Sequence, residues 1–296
     1  MSSPELLRYD FGPGVVAFSS TRRGGVSAGL YGEFNINEYC GDAVDAIRQN
    51  RLSLCQQLSI TPDRLIVPHQ VHGTVVCTVS RDFLTLSAAG RRQQLEGVDA
   101  VMTDVPQVCV GVSTADCIPV LLFDADRRAV CAVHAGWRGT VQRIVRRAVE
   151  AMQATYSTCP ASLRAVIGPG ISLDAFEVGE EVYEAFSAAG FDMQRIARRP
   201  LHPPPSTRNP PPSPLHPQPS TFNPPPSTLN PPPSTLPPKP HIDLWECNRQ
   251  QLLACGVLAE NIHVAGICTY QRCDDFFSAR RLGINSGRIY SAVMLR

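Results

Sequence analysis

The sequence lacks a dominant sign of charge. Its 27 Lys and Arg stand against 26 Asp and Glu, a formal net charge of +1 over 296 residues. That argues against a nucleic-acid binder held by a strongly basic face, and it offers no pointer to a membrane. No apolar stretch approaches the ~18 residues needed to span a bilayer. The start, Met1-Ser2-Ser3-Pro4-Glu5, has neither the basic nor the apolar region of a secretory signal, so a cytoplasmic location is expected. A C-x-x-C pair is also missing. The 11 cysteines are scattered and odd in number, which argues against a disulfide framework and for reduced, mostly buried thiols. What is present, 43% hydrophobic and 18% charged residues, is the composition of a soluble globular protein with a sizeable core.

Proline is the exception to this ordinary composition. Eighteen of the 27 prolines fall between Pro203 and Pro240, in five near-copies of a seven-residue unit of the type PPPSTLN. Proline removes backbone donors and fixes φ, so the segment 203–240 is expected to be an extended, mobile insert, outside any helix or sheet. It offers a ligand for an SH3-like or WW-like partner. An in-frame repeat expansion tolerated at a surface loop is the reading favoured here, because long loops add little closure entropy. The globular pattern resumes at His241, so the insert is expected to interrupt one domain spanning 1–296.

Elsewhere the pattern alternates between short apolar runs and amphipathic segments. Val108–Val112, Ile118–Phe123 and Ala129–His134 read as strands, the last two joined by the polar turn 124–128 into a hairpin. Val141, Ile144, Val145, Ala148, Val149 and Met152 have the spacing of one helical stripe, predicting a helix that starts directly after Gly136-Trp137-Arg138-Gly139. Arg164–Ile167 reads as a strand and Glu177–Ala188 as a helix. Asp243 and Glu246 fit a capping box opening a helix that ends at Gly256. Late strands are expected at Ile262–Ile267 and Arg288–Leu295. There is no regular βαβ alternation, so the expected class is α+β, with mixed β-sheets and flanking helices.

Three segments bring metal-type ligands to strand ends. They are the His69/His72 loop, Asp116-Cys117 and His134. Cys117 opens one hairpin strand and His134 closes the other, which places them at the same end of an antiparallel pair. A histidine from the loop would complete a Cys-plus-two-His set, suited to zinc and leaving a fourth position open. A buried thiol and a satisfied core histidine are the plainer alternative. The same atoms permit a second chemistry, with Cys117 as a thiolate nucleophile activated by His134. Arg138, in the glycine-flanked turn before the predicted helix, reads as a catalytic anion clamp on phosphate or carboxylate, or as a surface arginine. The cationic, glycine-rich Thr21–Ser27 stretch contributes Arg22. Asn35, Asp42 and Asn50 are polar groups for a pocket, or turn and cap residues.

Taken together these segments resemble a known family. Thr21-Arg22, Gly24-Gly25-Val26-Ser27, Asn35, Gly41-Asp42, Asn50-Arg51, Gln70-Val71-His72-Gly73, Ala115-Asp116-Cys117, His134-Ala135-Gly136-Trp137-Arg138-Gly139, Ile167-Gly168-Pro169-Gly170-Ile171, Cys268-Thr269, Phe276-Phe277-Ser278 and Gly287-Arg288 occur in its order. The family is the laccase-domain family, also labelled polyphenol oxidase, peptidoglycan-editing factor or zinc-dependent purine nucleoside phosphorylase. The resemblance implies an α+β fold shared distantly with cysteine-hydrolase and deamidase toxins. It implies zinc on His72, Cys117 and His134, with His69 outside the ligand set. It also implies phosphorolysis of adenosine, inosine and methylthioadenosine to base and ribose 1-phosphate or its methylthio analogue, with adenosine deamination. Arg22, Asn35, Asp116 and Arg138 are then the expected contacts to nucleoside and phosphate. Zinc would polarise a substrate group, or acidify its water for deamination. Amide hydrolysis on a cell-wall precursor is the alternative. Copper-dependent phenol oxidation ranks lowest, because it needs several histidine clusters and the chain has seven histidines, with His202 and His216 in or beside the repeat. Ala279 stands where the family usually has an aromatic residue.

Overall fold

The computed structural model describes residues 3–199 and 238–296. Its strands are β1 (Leu6–Tyr9), β2 (Val15–Ser20), β3 (Leu65–Ile66), β4 (Val76–Thr78), β5 (Ala100–Thr103), β6 (Cys109–Thr114), β7 (Ile118–Asp124), β8 (Ala129–Ala135), β9 (Leu163–Ile167), β10 (Ala197–Arg198), β11 (His241–Ile242), β12 (Ile262–Val264) and β13 (Ile289–Leu295). One sheet has five strands in the order β1-β2-β13-β6-β3, and a second has six in the order β12-β9-β7-β8-β5-β4. Both are mixed. β3 runs parallel to β6, and β12 and β4 run parallel to β9 and β5, while the remaining pairs are antiparallel. The class is α+β with mixed sheets and flanking helices, as the sequence pattern predicts.

The apolar runs are continuous because β6, β7 and β8 are buried along their whole length. Successive side chains point to opposite faces. Ile118, Val120 and Leu122 of β7 and Cys131 and Val133 of β8 pack against Ile144, Val145, Ala148, Val149 and Met152 of the helix Ile144–Tyr156. The alternate residues Leu121, Phe123, Val130 and Ala132 meet Val110, Val112, Val293 and Leu295 of the five-stranded sheet. The far face of that sheet, through Phe18, Tyr290 and Ala292, covers Leu54 and Leu58 of the helix Val44–Leu58. The two sheets therefore stack face to face, with helices outside.

The predicted helix after Gly139 is broken in two. A five-residue helix, Trp137–Val141, is followed by Arg143 in the left-handed conformation (φ 64°), and the longer helix begins only at Ile144. Tertiary contacts hold the break. Arg143 donates to Ala189 O at 2.7 Å, and its guanidinium lies 3.5 Å from the Phe191 ring centroid. The apolar stripe is buried as expected, yet the long helix does not begin at the Gly136–Gly139 turn. The segment 177–188 is helical only from Glu180, after Gly179 as N-cap. Half of the capping box forms. Asp243 accepts from Glu246 N at 3.0 Å, while Asp243 N donates to Ile196 O instead of the Glu246 side chain.

The Pro-rich repeat falls almost wholly in 200–237, so its expected mobility lies outside the described residues. On either side of it, Arg198 pairs with His241 in the two-stranded β10–β11 ladder, which brings the ends of the insert together. No helix among the described residues is long and apolar enough to cross a membrane.

Candidate metal centre

The chain passes from one sheet to the other between β6 and β7, and Cys117 sits in that crossing. The turn uses Asp116 in the left-handed region, at φ 81°. Two bonds pin its carboxylate, from Thr269 Oγ1 at 2.7 Å and from Arg280 N at 2.6 Å. β7 and β8 pair antiparallel with Pro119 opposite His134 and Ile118 opposite Ala135, so Cys117 and His134 share one end of the hairpin as predicted. The loop between β3 and β4 supplies His72, also left-handed at φ 62°. The ligand atoms of His72, Cys117 and His134 lie within 4.8 Å of one another. The two imidazoles meet edge to face, their centroids 4.8 Å apart.

One residue that sequence reasoning missed organises this cluster. Asp99, fully buried at the head of β5, accepts from His134 Nδ1 at 2.7 Å. It also accepts from the backbone N–H groups of Val71 (3.3 Å), His72 (3.0 Å) and Gly73 (2.7 Å). The carboxylate thus fixes both the His72 loop and the His134 ring, and directs His134 Nε2 toward Cys117. The available signal was weak: an acid at the head of an apolar run, Ala100–Met102. Burial raises the Asp99 carboxyl, but the His134 bond and charge together with the backbone N–H groups bring it below its usual range. Burial likewise raises the Cys117 thiol, yet the His134 charge and hydrogen bonds from both histidines outweigh it and lower the thiol to about 6. The thiolate and Asp99 raise His134 against the opposing effect of burial.

The donor set of one thiolate and two imidazoles fits zinc, with three protein ligands and space for a fourth. Gly136 leaves room for the three ligand side chains. A Cβ there would lie 2.8 Å from His72 Cδ2, 3.0 Å from Cys117 Sγ and 3.7 Å from His134 Nε2. The carboxylate behind His134 is the outer-shell partner that orients a metal-ligating imidazole.

The cluster forms the floor of a pocket of about 230 Å³. Gln70 is stitched into its wall by two bonds to the Ser113 backbone, at 2.9 and 2.7 Å. Ser113 and Thr114 also line it, and both hydroxyls are buried without a partner. Tyr39, Ile284 and Ala279 complete the apolar lining, and Arg288 is the cation of the wall. Three of the five Arg288 donors hold the carbonyls of Ser286, Gly287 and Ile284. His69 lines the pocket too, but its Nδ1 is bound to Glu96 at 2.6 Å and its ring stacks on Tyr39, outside the three-ligand cluster.

The other sequence-predicted residues lie outside the pocket lining. Arg22 donates to Gly32 O at 2.8 Å and Cys273 O at 2.7 Å, with its guanidinium 5.1 Å from the Phe277 centroid. Asn35 is fully buried and holds Asp42 at 2.9 Å, while its Oδ1 accepts from Arg288 N at 3.1 Å, so it supports the wall from behind. Asn50 joins the same buried network through Asn35 O and Ser27 Oγ. Arg138 is exposed, its guanidinium 4.4 Å from the centroid of its neighbour Trp137. Neither Arg138 nor Arg22 reaches the pocket, because each guanidinium is engaged locally.

Known proteins share this sequence and fold. The sequence profile of the family described as multi-copper polyphenol oxidoreductase laccase matches residues 16–205 and 223–296. A purine nucleoside phosphorylase of Bacteroides thetaiotaomicron is 42% identical over 278 residues, covering 94% of this chain and 90% of its own. A protein named adenosine deaminase RL5, from an unknown prokaryotic organism, is 37% identical and covers 98% of both chains. The solved structure of the hypothetical protein YfiH of Bacillus licheniformis has a TM-score of 0.81 over 99% of this chain and 97% of its own, at 24% identity, which shows the common fold. With nearly its whole described length matched, the chain belongs to the multi-copper polyphenol oxidoreductase laccase family.

Proposed function

We propose that this protein is a purine nucleoside phosphorylase with adenosine deaminase activity, holding zinc on His72, Cys117 and His134. One observation carries the reading: a three-ligand cluster, backed by a buried carboxylate, forms the floor of a pocket whose Ser113 and Thr114 hydroxyls have no protein partner. Buried hydroxyls are ordinarily satisfied, so in this reading these two are the polar groups that a ligand would meet. The names carried by the relatives supply the substrate class.

Zinc held by His72, Cys117 and His134 would supply a Lewis acid able to polarise a substrate oxygen or nitrogen. In this reading the Ser113 and Thr114 hydroxyls, buried at the pocket-side end of β6, are the groups that would meet the ribose hydroxyls. The half-exposed Tyr39 ring offers a face to the purine. Arg288, with two donors left, takes phosphate in place of Arg138 and Arg22. Phosphate held beside C1′ forms the C1′–O bond as the C1′–N9 bond breaks, and the electron pair leaves on the purine. Asp99 keeps His134 and His72 in register throughout.

A second reading rests on the Cys117–His134–Asp99 order, which is that of a thiolate, a base and an orienting acid, and on the lowered Cys117 thiol. It assigns amide hydrolysis, with Cys117 free of metal. Copper oxidation is the weakest reading, since His72, Cys117 and His134 form the one three-ligand group found among the described residues. Inosine turnover with and without phosphate separates the first two. Hypoxanthine release that requires phosphate supports phosphorolysis, and indifference to phosphate removes it.

A further inference from the structure

A second cavity, of about 390 Å³, opens beside the pocket between the helices Val44–Leu58 and Ala88–Gln94 and strand β3. That volume lies within the ~300–1,000 Å³ range of small-molecule sites. Its floor is apolar, with Ile66, Phe83 and Leu95 buried. Its rim carries Arg51, Arg91 and Arg92 against Glu38 and Asp63.

The donors on that rim are unevenly used. Arg91 is committed to the carbonyls of Leu86, Asp63 and Leu84. Arg51 and Arg92 share the single carboxylate of Glu38 through contacts of 3.5 and 3.7 Å. Both are longer than the ~2.7–2.9 Å of a charge-assisted hydrogen bond. Arg51 Nε holds Ile36 O at 2.9 Å, but its Nη2 has no partner at all. Two guanidiniums therefore share one carboxylate in loose ion pairs above an apolar floor.

We propose that this cavity is a second ligand site, for a small molecule bearing a carboxylate or phosphate on a flat apolar body. The anion completes Arg51 and Arg92, and the body lies on Phe83 and Leu95. Tyr39 lines both cavities and stacks on His69 with centroids 4.1 Å apart, so a ligand here touches a wall of the metal-ligand pocket without entering it.

Calorimetric titration of the full chain with naphthoate, naphthyl phosphate and the neutral naphthylmethanol tests this. Expected is one-to-one binding of an anion, with the alcohol at least roughly tenfold weaker. Binding of only one anion supports the site and identifies its head group. Arg92→Ala should weaken anion binding by about tenfold, and Arg51→Met should do the same. Since Arg51 also holds Ile36 O, Ala88→Trp provides an independent control: it fills the cavity from an exposed position and should abolish binding. Cys117→Ala should leave binding intact. Equal affinity for the alcohol, survival of binding in Ala88→Trp, loss in Cys117→Ala, or no binding of either anion would overturn the proposal.

Discussion

His134 donates from Nδ1 to Asp99 at 2.7 Å, and the same carboxylate collects three backbone N–H groups from the loop that presents His72. One buried acid on β5 thereby couples two of the three metal-type ligands, which come from segments 62 positions apart in sequence. Asp99→Asn keeps the shape, removes the charge and turns an amide donor toward groups that themselves donate. Metal affinity should fall by ~10–100-fold, as for other outer-shell partners of ligating histidines. A chelator-competition titration measures it, and an unchanged affinity would remove Asp99 from the centre.

The unpartnered Thr114 hydroxyl separates a functional cost from a structural one. Thr114→Val deletes a buried unsatisfied group, so the fold should gain about 1 kcal/mol in thermal or urea unfolding. The nucleoside KM should rise by about tenfold over the same change. A variant that is more stable with an unaltered KM would show that the hydroxyl meets no ligand.

In the metal-free protein the thiol is expected to titrate near pH 6. Cys117 has its folded value lowered, so its contribution to stability is present at high pH and is lost as pH falls through about 6. His134 has its value raised to about 9, so its contribution is complete below the unfolded value and is lost as pH rises through about 9. The thiolate–imidazolium pair therefore persists between these limits. Iodoacetamide alkylation of Cys117 in metal-stripped protein should show a rate midpoint near pH 6. A midpoint near the ordinary thiol value of ~8.5 would contradict the charge arrangement.

Arg288, in the pocket wall, and Arg138, outside it, should behave oppositely. Arg138 is exposed and lies over Trp137, so Arg138→Ala should leave the phosphate KM within about twofold. Arg288→Lys preserves the charge but loses the fork, and should raise that KM by roughly tenfold with a smaller change for inosine. Steady-state kinetics with phosphate varied decides. The reverse ranking would restore Arg138 to the anion site.

Much of this centre was legible in the sequence, because its signals are local. Apolar runs flanking a polar turn gave the β7–β8 register, and that register alone placed Cys117 beside His134. The resemblance brought in His72 and set His69 aside, and His69 is in fact bound to Glu96. Long-range pairing was not legible. Asp99 gains its meaning only when β5 lies against β8 and the 71–73 loop folds over its carboxylate. Arg22 and Asn35 read as pocket groups because cationic and amide side chains near glycines suggest ligands, yet distant carbonyls and Arg288 N claim them. The break at Arg143 was hidden by an apolar stripe that continues in phase across it, and contacts from Ala189 and Phe191 decide it.

The most direct test of the account strips the protein with a chelator and restores it with zinc or copper separately, following phosphate-dependent hypoxanthine release from inosine. The account predicts that about one zinc per chain restores turnover, that copper does not, and that His134→Ala neither binds zinc nor turns over. Full turnover in the stripped protein, or recovery with copper alone, would contradict it.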